Sequence, residues 1–217
     1  MSAPETWHHG LVADWWAEFS DAGPEIEYFR RFAESGQPAL DAGCGTGRLL
    51  NPVSPCGAFG LGSDRARDLE ALSRLHDHLE PDGTLVLDTE VPYANARHWA
   101  LWLKKNRAEL PEPARAPGNR RRASDGSELG LSVRVAELDP LEQTQVLEIY
   151  AARWRDGALE AEETRRLNIN LYFKNELLLM LERAGFAAIQ VYGDHNDAAP
   201  TADDAFVVFE ARREETP

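Results

Sequence analysis

Two glycine-rich turns carry the residues best placed for chemistry. The first is Leu40-Asp-Ala-Gly-Cys-Gly-Thr-Gly47 and the second Cys56-Gly-Ala-Phe-Gly-Leu-Gly62, and only nine residues, Arg48 to Cys56, separate the two glycine clusters. Glycines at 43, 45 and 47 let the backbone take positive φ and leave no Cβ between the chain and a ligand. Where such a turn ends a strand and opens a helix, free N–H groups and the positive end of the helix dipole face a small charged molecule. The Gly-x-Gly-x-Gly spacing differs from the Gly-x-Gly-x-x-Gly dinucleotide fingerprint and from the lysine-bearing phosphate loop, which argues against a nicotinamide oxidoreductase. A tight strand-to-helix connection without a ligand satisfies the same pattern.

Other candidate groups are sparse. His8, His9 and His195 are the histidines best suited to accept a proton, but a solvated or structural role accounts for each of them more simply. Asp194, Asp197, Asp203 and Asp204 flank His195 and imitate a metal site, but a polar hairpin loop accounts for them more simply, so no metal is expected. Cys44 and Cys56 are the only cysteines, too few for a disulfide framework or a zinc site. Trp15 and Trp16 either wall a substrate pocket or face the core from an amphipathic helix.

The elements that must position these groups follow from periodicity. Residues 11 to 33 read as two amphipathic helices broken near Gly23-Pro24, with the proline in the first turn of the second. Residues 38 to 42 read as a short strand entering the first glycine turn. From Asp64, read as an N-cap, a helix places Leu69, Leu72, Leu75 and Leu79 on one stripe and stops at Pro81-Asp82-Gly83. Thr84 to Asp88 is an apolar run, expected to be a strand covered on both faces. The pattern predicts a short helix through Trp99 and Trp102, and Arg115 with Arg120, Arg121 and Arg122 reads as a solvated loop. Three alternating stretches follow: Leu129 to Val135, Leu147 to Ala151 and Leu167 to Leu171. They predict an antiparallel sheet joined at Asp139-Pro140 and Asp156-Gly157. A helix over 174–184 capped by Gly185, then strands at 186–192 and 205–211, close the chain. Parallel-type strands at the ends with an antiparallel insert between them predict an α/β fold.

Composition bounds the rest. A chain of 217 residues, 43% hydrophobic and 28% charged, is long enough for a buried core and reads as one domain. A net charge of −14 argues against binding nucleic acid through its phosphates. The N-terminus lacks a basic stretch followed by an apolar run, and no apolar run is long enough to span a bilayer, so a cytoplasmic protein without a membrane partner is expected.

The stretch Ala39-Leu-Asp-Ala-Gly-Cys-Gly-Thr-Gly-Arg-Leu-Leu50 resembles motif I of class I S-adenosylmethionine-dependent methyltransferases. Residues 68 to 88 are similar to that family's helix before strand five and the strand itself. The antiparallel insert, Asn170 to Phe186 and the final hairpin are similar to its small-molecule N- and O-methyltransferase branch, so that the likeness covers most of residues 8 to 212. The resemblance implies a Rossmann-like methyltransferase sheet with an inserted antiparallel sheet, S-adenosyl-L-methionine as cofactor and a small-molecule acceptor. It divides the single domain into N-terminal lid helices (1–35), a shortened cofactor-binding core (36–92), the antiparallel insert (93–173), and a C-terminal helix and hairpin (174–217). It places Gly43, Cys44, Gly45, Thr46 and Gly47 under the methionine part of the cofactor, with Asp41 near its amino group. Cys56, Gly57, Ala58 and Phe59 line the sulfonium side, and Trp7 to Gly10 with Trp15 and Trp16 form the lid.

The family pattern needs two further strand–helix units between motif I and strand four, one of them ending in a carboxylate for the ribose. A βαβ unit takes roughly 30 residues or more, and the nine present cannot supply one. The sequence therefore predicts an internal deletion, a lost ribose and adenine site, and self-association through the unpaired edge of strand 38–42, possible as a homodimer. A non-catalytic remnant serving as a binding or dimerisation module is the alternative to an active enzyme.

Overall fold

The structure, a computed structural model, describes residues 9–19, 24–35, 38–39, 59–62, 64–114, 116–117 and 120–214. In chain order its elements are α1 (Leu11–Phe19), α2 (Pro24–Ser35), α3 (Arg65–His78), β1 (Thr84–Glu90), α4 (Ala96–Ala100) and α5 (Lys104–Arg107), followed by β2 (Arg120–Arg122), β3 (Glu128–Asp139), β4 (Thr144–Arg155), β5 (Ala158–Asn170), α6 (Lys174–Arg183), β6 (Ala187–Gly193) and β7 (Phe206–Arg212). They fall into two compact units, one comprising Met1–Pro55 with Trp102–Ile169 and the other Cys56–Leu101 with Asn170–Pro217.

The second unit is built on a three-stranded sheet in the order β1-β7-β6. Both pairings are antiparallel: β6 with β7 is the expected final hairpin, and β1 with β7 departs from the parallel-type strands the sequence suggests. The physical reason is local. The acidic loop over residues 194–205 returns β7 beside β6, and β7 pairs on both sides, leaving β1 and β6 parallel but two strands apart. Asp64 caps α3 as the sequence implies, its Oδ1 accepting the Arg67 N–H at 3.0 Å. The leucine stripe does its work from there. Leu72 is fully buried with Leu177 and Leu181 of α6 and Val207, Phe209 and Ala211 of β7, and Leu69, Leu79, Leu85 and Leu87 pack against that cluster. Helix α6 ends in a Schellman motif: Phe186 N–H reaches the Leu181 carbonyl and Gly185 N–H the Glu182 carbonyl, each at 3.1 Å. Gly185 takes φ +101°, and a Cβ there would meet the His76 ring at 3.1 Å, so glycine alone suits the position.

The first unit holds a four-stranded antiparallel sheet in the order β2-β3-β4-β5. The β4–β5 turn puts Asp156 at φ 50° and Gly157 at φ 80°, the left-handed pair a two-residue hairpin turn requires. Alternation sends Leu129, Ile149, Ala151 and Leu167 to one face, where Leu11 and Val12 of α1 cover them and Trp15, Trp16 and Phe19 pack alongside. Two expectations need correction. Val133 is 46% exposed although Leu129 and Val135 of the same face are buried, and a register shift between Val135 and Glu137 buries Val135, Ala136 and Leu138 together. The arginine cluster is an edge strand rather than a loop: Arg120 to Arg122 pair with Gly130 to Glu128. Its guanidinium groups lie on aromatic faces, Arg120 over Trp154 at 3.9 Å and Arg121 over Phe19 at 4.1 Å.

Strand 38–42 is described only at Pro38 and Ala39, which are not in a strand; the rest of it lies outside the described residues. Among the described residues, no helix is long and apolar enough to cross a membrane.

Truncating Leu72 to alanine removes the contact that joins α3 to α6 and β7, and should cost about 2–5 kcal/mol of unfolding free energy. Urea denaturation followed by circular dichroism measures it; a cost below about 1 kcal/mol would show that these elements do not share one cooperative core.

Candidate active site

Of the residues the sequence singles out, Asp41, Gly43, Cys44, Gly45, Thr46, Gly47, Cys56, Gly57, Ala58 and His8 lie outside the described residues. The end of the second glycine turn is described, and it is tied down with unusual density. The Phe59 ring lies 5.3 Å from the Tyr172 ring. The next carbonyl, that of Gly60, accepts the Asn170 N–H at 2.8 Å. Gly60 holds φ +83°, and a Cβ there would stand 2.9 Å from the Asn170 carbonyl and 3.1 Å from the Tyr172 ring. No side chain fits this close approach.

Beneath that contact lies a buried polar hub. Asp68, 4% exposed on α3, is aimed at residues 170–172, which lead into α6. Its Oδ2 accepts both the Asn170 amide at 2.7 Å and the Tyr172 hydroxyl at 2.6 Å. Arg65, one turn earlier, donates to the Leu171 carbonyl at 2.8 Å, stands 4.5 Å above the Tyr172 ring and pairs with Glu176 of α6. Burial, and then the Asp68 carboxylate beside it, push the Tyr172 phenol well above its ordinary value. Tyr172 is therefore a neutral hydrogen-bond donor at physiological pH, and the hub positions the turn rather than moving protons.

A second buried pair joins β1 to the β6–β7 loop. His195 Nε2 lies 3.0 Å from Asp88 Oδ2, each side chain 5% exposed, and the imidazole packs on Phe206 with centroids 5.2 Å apart. Around it, Asp194 Oδ1 accepts the Ala205 and Phe206 N–H groups, both at 2.8 Å. Asp204 Oδ2 accepts the Thr201 N–H. The acids of this loop build a hairpin, and among the described residues no group of His, Cys, Asp or Glu is arranged to hold a metal.

His9 is exposed just ahead of α1. Trp15 and Trp16 meet edge to face at 5.4 Å and pack on the sheet of the first unit. Their buried indole N–H groups have no hydrogen-bond partner among the described residues. A cleft of about 450 Å³ in the same unit is lined by Arg107, Leu110, Pro111, Arg134, Glu148 and Arg166. Its charges are paired, Arg134 with Glu148 at 2.7 Å and Arg166 with Glu137, and it contains none of the residues singled out from sequence.

Sequence reasoning missed Asp68, Asn170, Tyr172 and Asp88. The available signals were an acid beside the apolar stripe at Leu69 and Leu72, and an acid ending the apolar run Thr84 to Leu87.

No protein-family model matches the chain, and no curated protein does. Solved structures do. The CcbJ methyltransferase from Streptomyces caelestis superposes with a TM-score of 0.65 at 16% identity, over 98% of this chain and 100% of that one. This chain has a methyltransferase fold. The expected α/β architecture with an antiparallel insert is borne out by that match. An S-adenosylmethionine-dependent methyltransferase from Clostridium acetobutylicum ATCC 824 overlaps less, at 10% identity and a TM-score of 0.48, over 70% of this chain and 53% of that one. DesVI from Streptomyces venezuelae does so at 16% identity and 0.41, over 65% and 50%. The chain spans about half the length of these last two structures. Within the methyltransferase fold, the described residues give the hub around Asp68 and the Asp88–His195 pair as the buried polar sites of the second unit.

The hub predicts unequal losses. Tyr172→Phe removes one donor and should cost about 1–2 kcal/mol, whereas Asp68→Ala strands two buried donors and should cost about 2–4 kcal/mol. Because the phenol is raised in the folded state, its contribution is fully present below the ordinary tyrosine value of about 10 and is lost as pH rises through the folded value. Spectrophotometric titration should show one of the five tyrosines ionising only with unfolding, and that late phase should vanish in Tyr172→Phe. Its persistence in the variant would assign it elsewhere.

Proposed function

We propose that this protein is an S-adenosylmethionine-dependent methyltransferase acting on a nitrogen or oxygen of a small molecule. The observation that carries the reading is the match to the CcbJ methyltransferase over nearly the whole of both chains, reached independently of the motif at Asp41 to Gly47. S-adenosyl-L-methionine, when bound, supplies a methyl group on a positively charged sulfur, activated for in-line displacement. On this reading Gly43, Cys44, Gly45, Thr46 and Gly47 bring bare backbone against its methionine end, and Asp41 faces the amino group. Cys56, Gly57, Ala58 and Phe59 form the wall beside the sulfur. The described end of that wall fits a fixed surface: Gly60 occupies a space a Cβ would fill, and Phe59 is seated on a tyrosine held by Asp68.

Displacement of this kind is governed by positioning and exclusion of water, so a rigid wall is the main thing the chain has to supply. A proton acceptor is needed only for a hydroxyl or a protonated amine. His8 and His9, ahead of α1, take that role in this proposal, with Trp15 and Trp16 behind them as the apolar backing of the acceptor. His195 is engaged with Asp88 and serves the β6–β7 hairpin.

One observation favours a second reading. The nine residues between the glycine clusters are too few for the strand–helix units that would carry a ribose carboxylate, which points to a remnant keeping the fold as a binding module. Calorimetric titration of the purified chain with S-adenosylhomocysteine separates the two. The methyltransferase reading expects saturable binding in the micromolar range, weakened at least about tenfold by Gly45→Val, which sets a branched side chain where backbone must approach ligand. Absence of heat from a sample that melts cooperatively would overturn it in favour of the remnant.

A further inference from the structure

The four-stranded sheet of the first unit has two edges, and they are defended very differently. At one edge, β2 is three residues long and consists of Arg120, Arg121 and Arg122. A short strand of like charges repels its own copy, the usual protection of an edge against further pairing. At the other edge, β5 runs thirteen residues, eight of them exposed. Asn170, at its far end, gives its N–H to the Gly60 carbonyl; from Ala158 to Leu167 no strand among the described residues pairs with that outer side.

The sequence of β5 reads Leu159-Glu-Ala-Glu-Glu-Thr-Arg-Arg-Leu-Asn168, and its charges invert about Thr164. Glu163 and Glu162 precede that residue at the distances at which Arg165 and Arg166 follow it. An antiparallel pairing of β5 with a second β5, centred on Thr164, sets Glu163 opposite Arg165, Glu162 opposite Arg166 and Ala161 opposite Leu167. Each pair then occurs twice by the two-fold axis. Shifting the centre by one residue pair either way puts Glu163 opposite Glu163 or Arg165 opposite Arg165, so charge selects one register. The register is compatible with an antiparallel ladder, because it sets residues of like parity opposite one another, Glu163 opposite Arg165 and Thr164 opposite its own copy.

We infer that the partner of this edge is a second copy of the chain, joined β5 to β5 about Thr164 into one eight-stranded antiparallel sheet with an isologous interface. The inference is independent of methyl transfer and concerns an edge other than that of residues 38–42. The existing contacts of these side chains are compatible with it. Glu162 accepts the Tyr150 hydroxyl at 2.6 Å and Arg166 pairs with Glu137, both on the face away from α1, while Glu163 accepts the Val12 N–H at 2.9 Å on the α1 face. A carboxylate or guanidinium has the capacity for a further cross-strand partner beside these.

The test is a charge-swap cycle read by sedimentation equilibrium on the full chain. It uses Glu162 and Arg166, which leaves the Glu163 contact to α1 in place. Wild type should dimerise at micromolar concentration. Glu162→Arg and Arg166→Glu should each raise the dissociation constant roughly tenfold or more, since each converts two attractive cross-strand pairs into repulsive ones. The double variant Glu162→Arg/Arg166→Glu restores opposite charges and should return the constant to within about threefold of wild type. Circular dichroism of all four proteins checks that the monomer fold is retained. A monomeric wild type, a dimer insensitive to both single changes, or a double variant as weak as the singles would each overturn the proposal.

Discussion

A carboxylate inside an apolar core costs several kcal/mol unless its oxygens are satisfied, and Asp68 sits 4% exposed next to the leucines that bury α3. It is stable there because Asn170 and Tyr172 both donate to one of its oxygens. That requirement constrains everything around it. Residues 170–172 have to pass α3 at a fixed height, which sets where α6 begins and brings Leu177 and Leu181 onto Leu72. The same requirement holds Asn170 so that its backbone N–H meets Gly60. The end of the second glycine turn is thus anchored to the hydrophobic core through one acid, with Arg65 closing the arrangement over the tyrosine ring. A site whose chemistry depends on position rather than on proton transfer gains most from support of this kind.

The first unit uses a strand carboxylate in a comparable way. The opening N–H groups of a helix have no partner within the helix, and α1 is only nine residues long. Glu163 of β5 accepts the Val12 N–H, and a Cβ on Gly10 would collide with that carboxylate at 2.6 Å. Arg165 pairs with it at 3.2 Å, and Asp14 reaches Arg153 of β4 at 2.6 Å. The tryptophans of α1 therefore stand where they do because a sheet acid receives the start of the helix. The register of β5 and the placement of α1 are set by the same side chain.

What was legible in the sequence was whatever depends on neighbours close along the chain. The break at Gly23-Pro24, the Asp64 cap, the leucine stripe, the Gly185 stop and the turn at Asp156-Gly157 are local, and all appear as read. Direction in the C-terminal sheet was not legible, because it depends on where β7 inserts after a loop and not on the pattern of any one strand. The bulge after Val135 was invisible for a related reason: alternation continues in the sequence on both sides of it. Within the candidate site, the glycines were legible as a motif, and the second turn leads to Phe59. The residues that immobilise it come from about a hundred positions further on, and an aspartate on a helix or an asparagine at a strand end reads as solvent-facing until its partners are seen. His195 reads in the sequence as a candidate proton acceptor or a solvated or structural residue, and the burial of its ring against Asp88, an acid hidden in an apolar run, carries no local signal.

The two edges of the four-stranded sheet extend that contrast between local and distant information. Repulsion between three consecutive arginines is a property of one short segment and protects β2 wherever it lies. The contacts these side chains make within one chain do not require the charges to invert about Thr164; Glu163 and Arg165 simply pair on the same face. It acquires meaning only if the strand meets itself running the other way, because only that operation carries residue 163 onto 165 and 162 onto 166. A segment selected solely to stay in water has no need of such symmetry, since any mixture of charges would serve. The long edge strand is consistent with its surroundings at every level of this structure once a second copy completes the sheet.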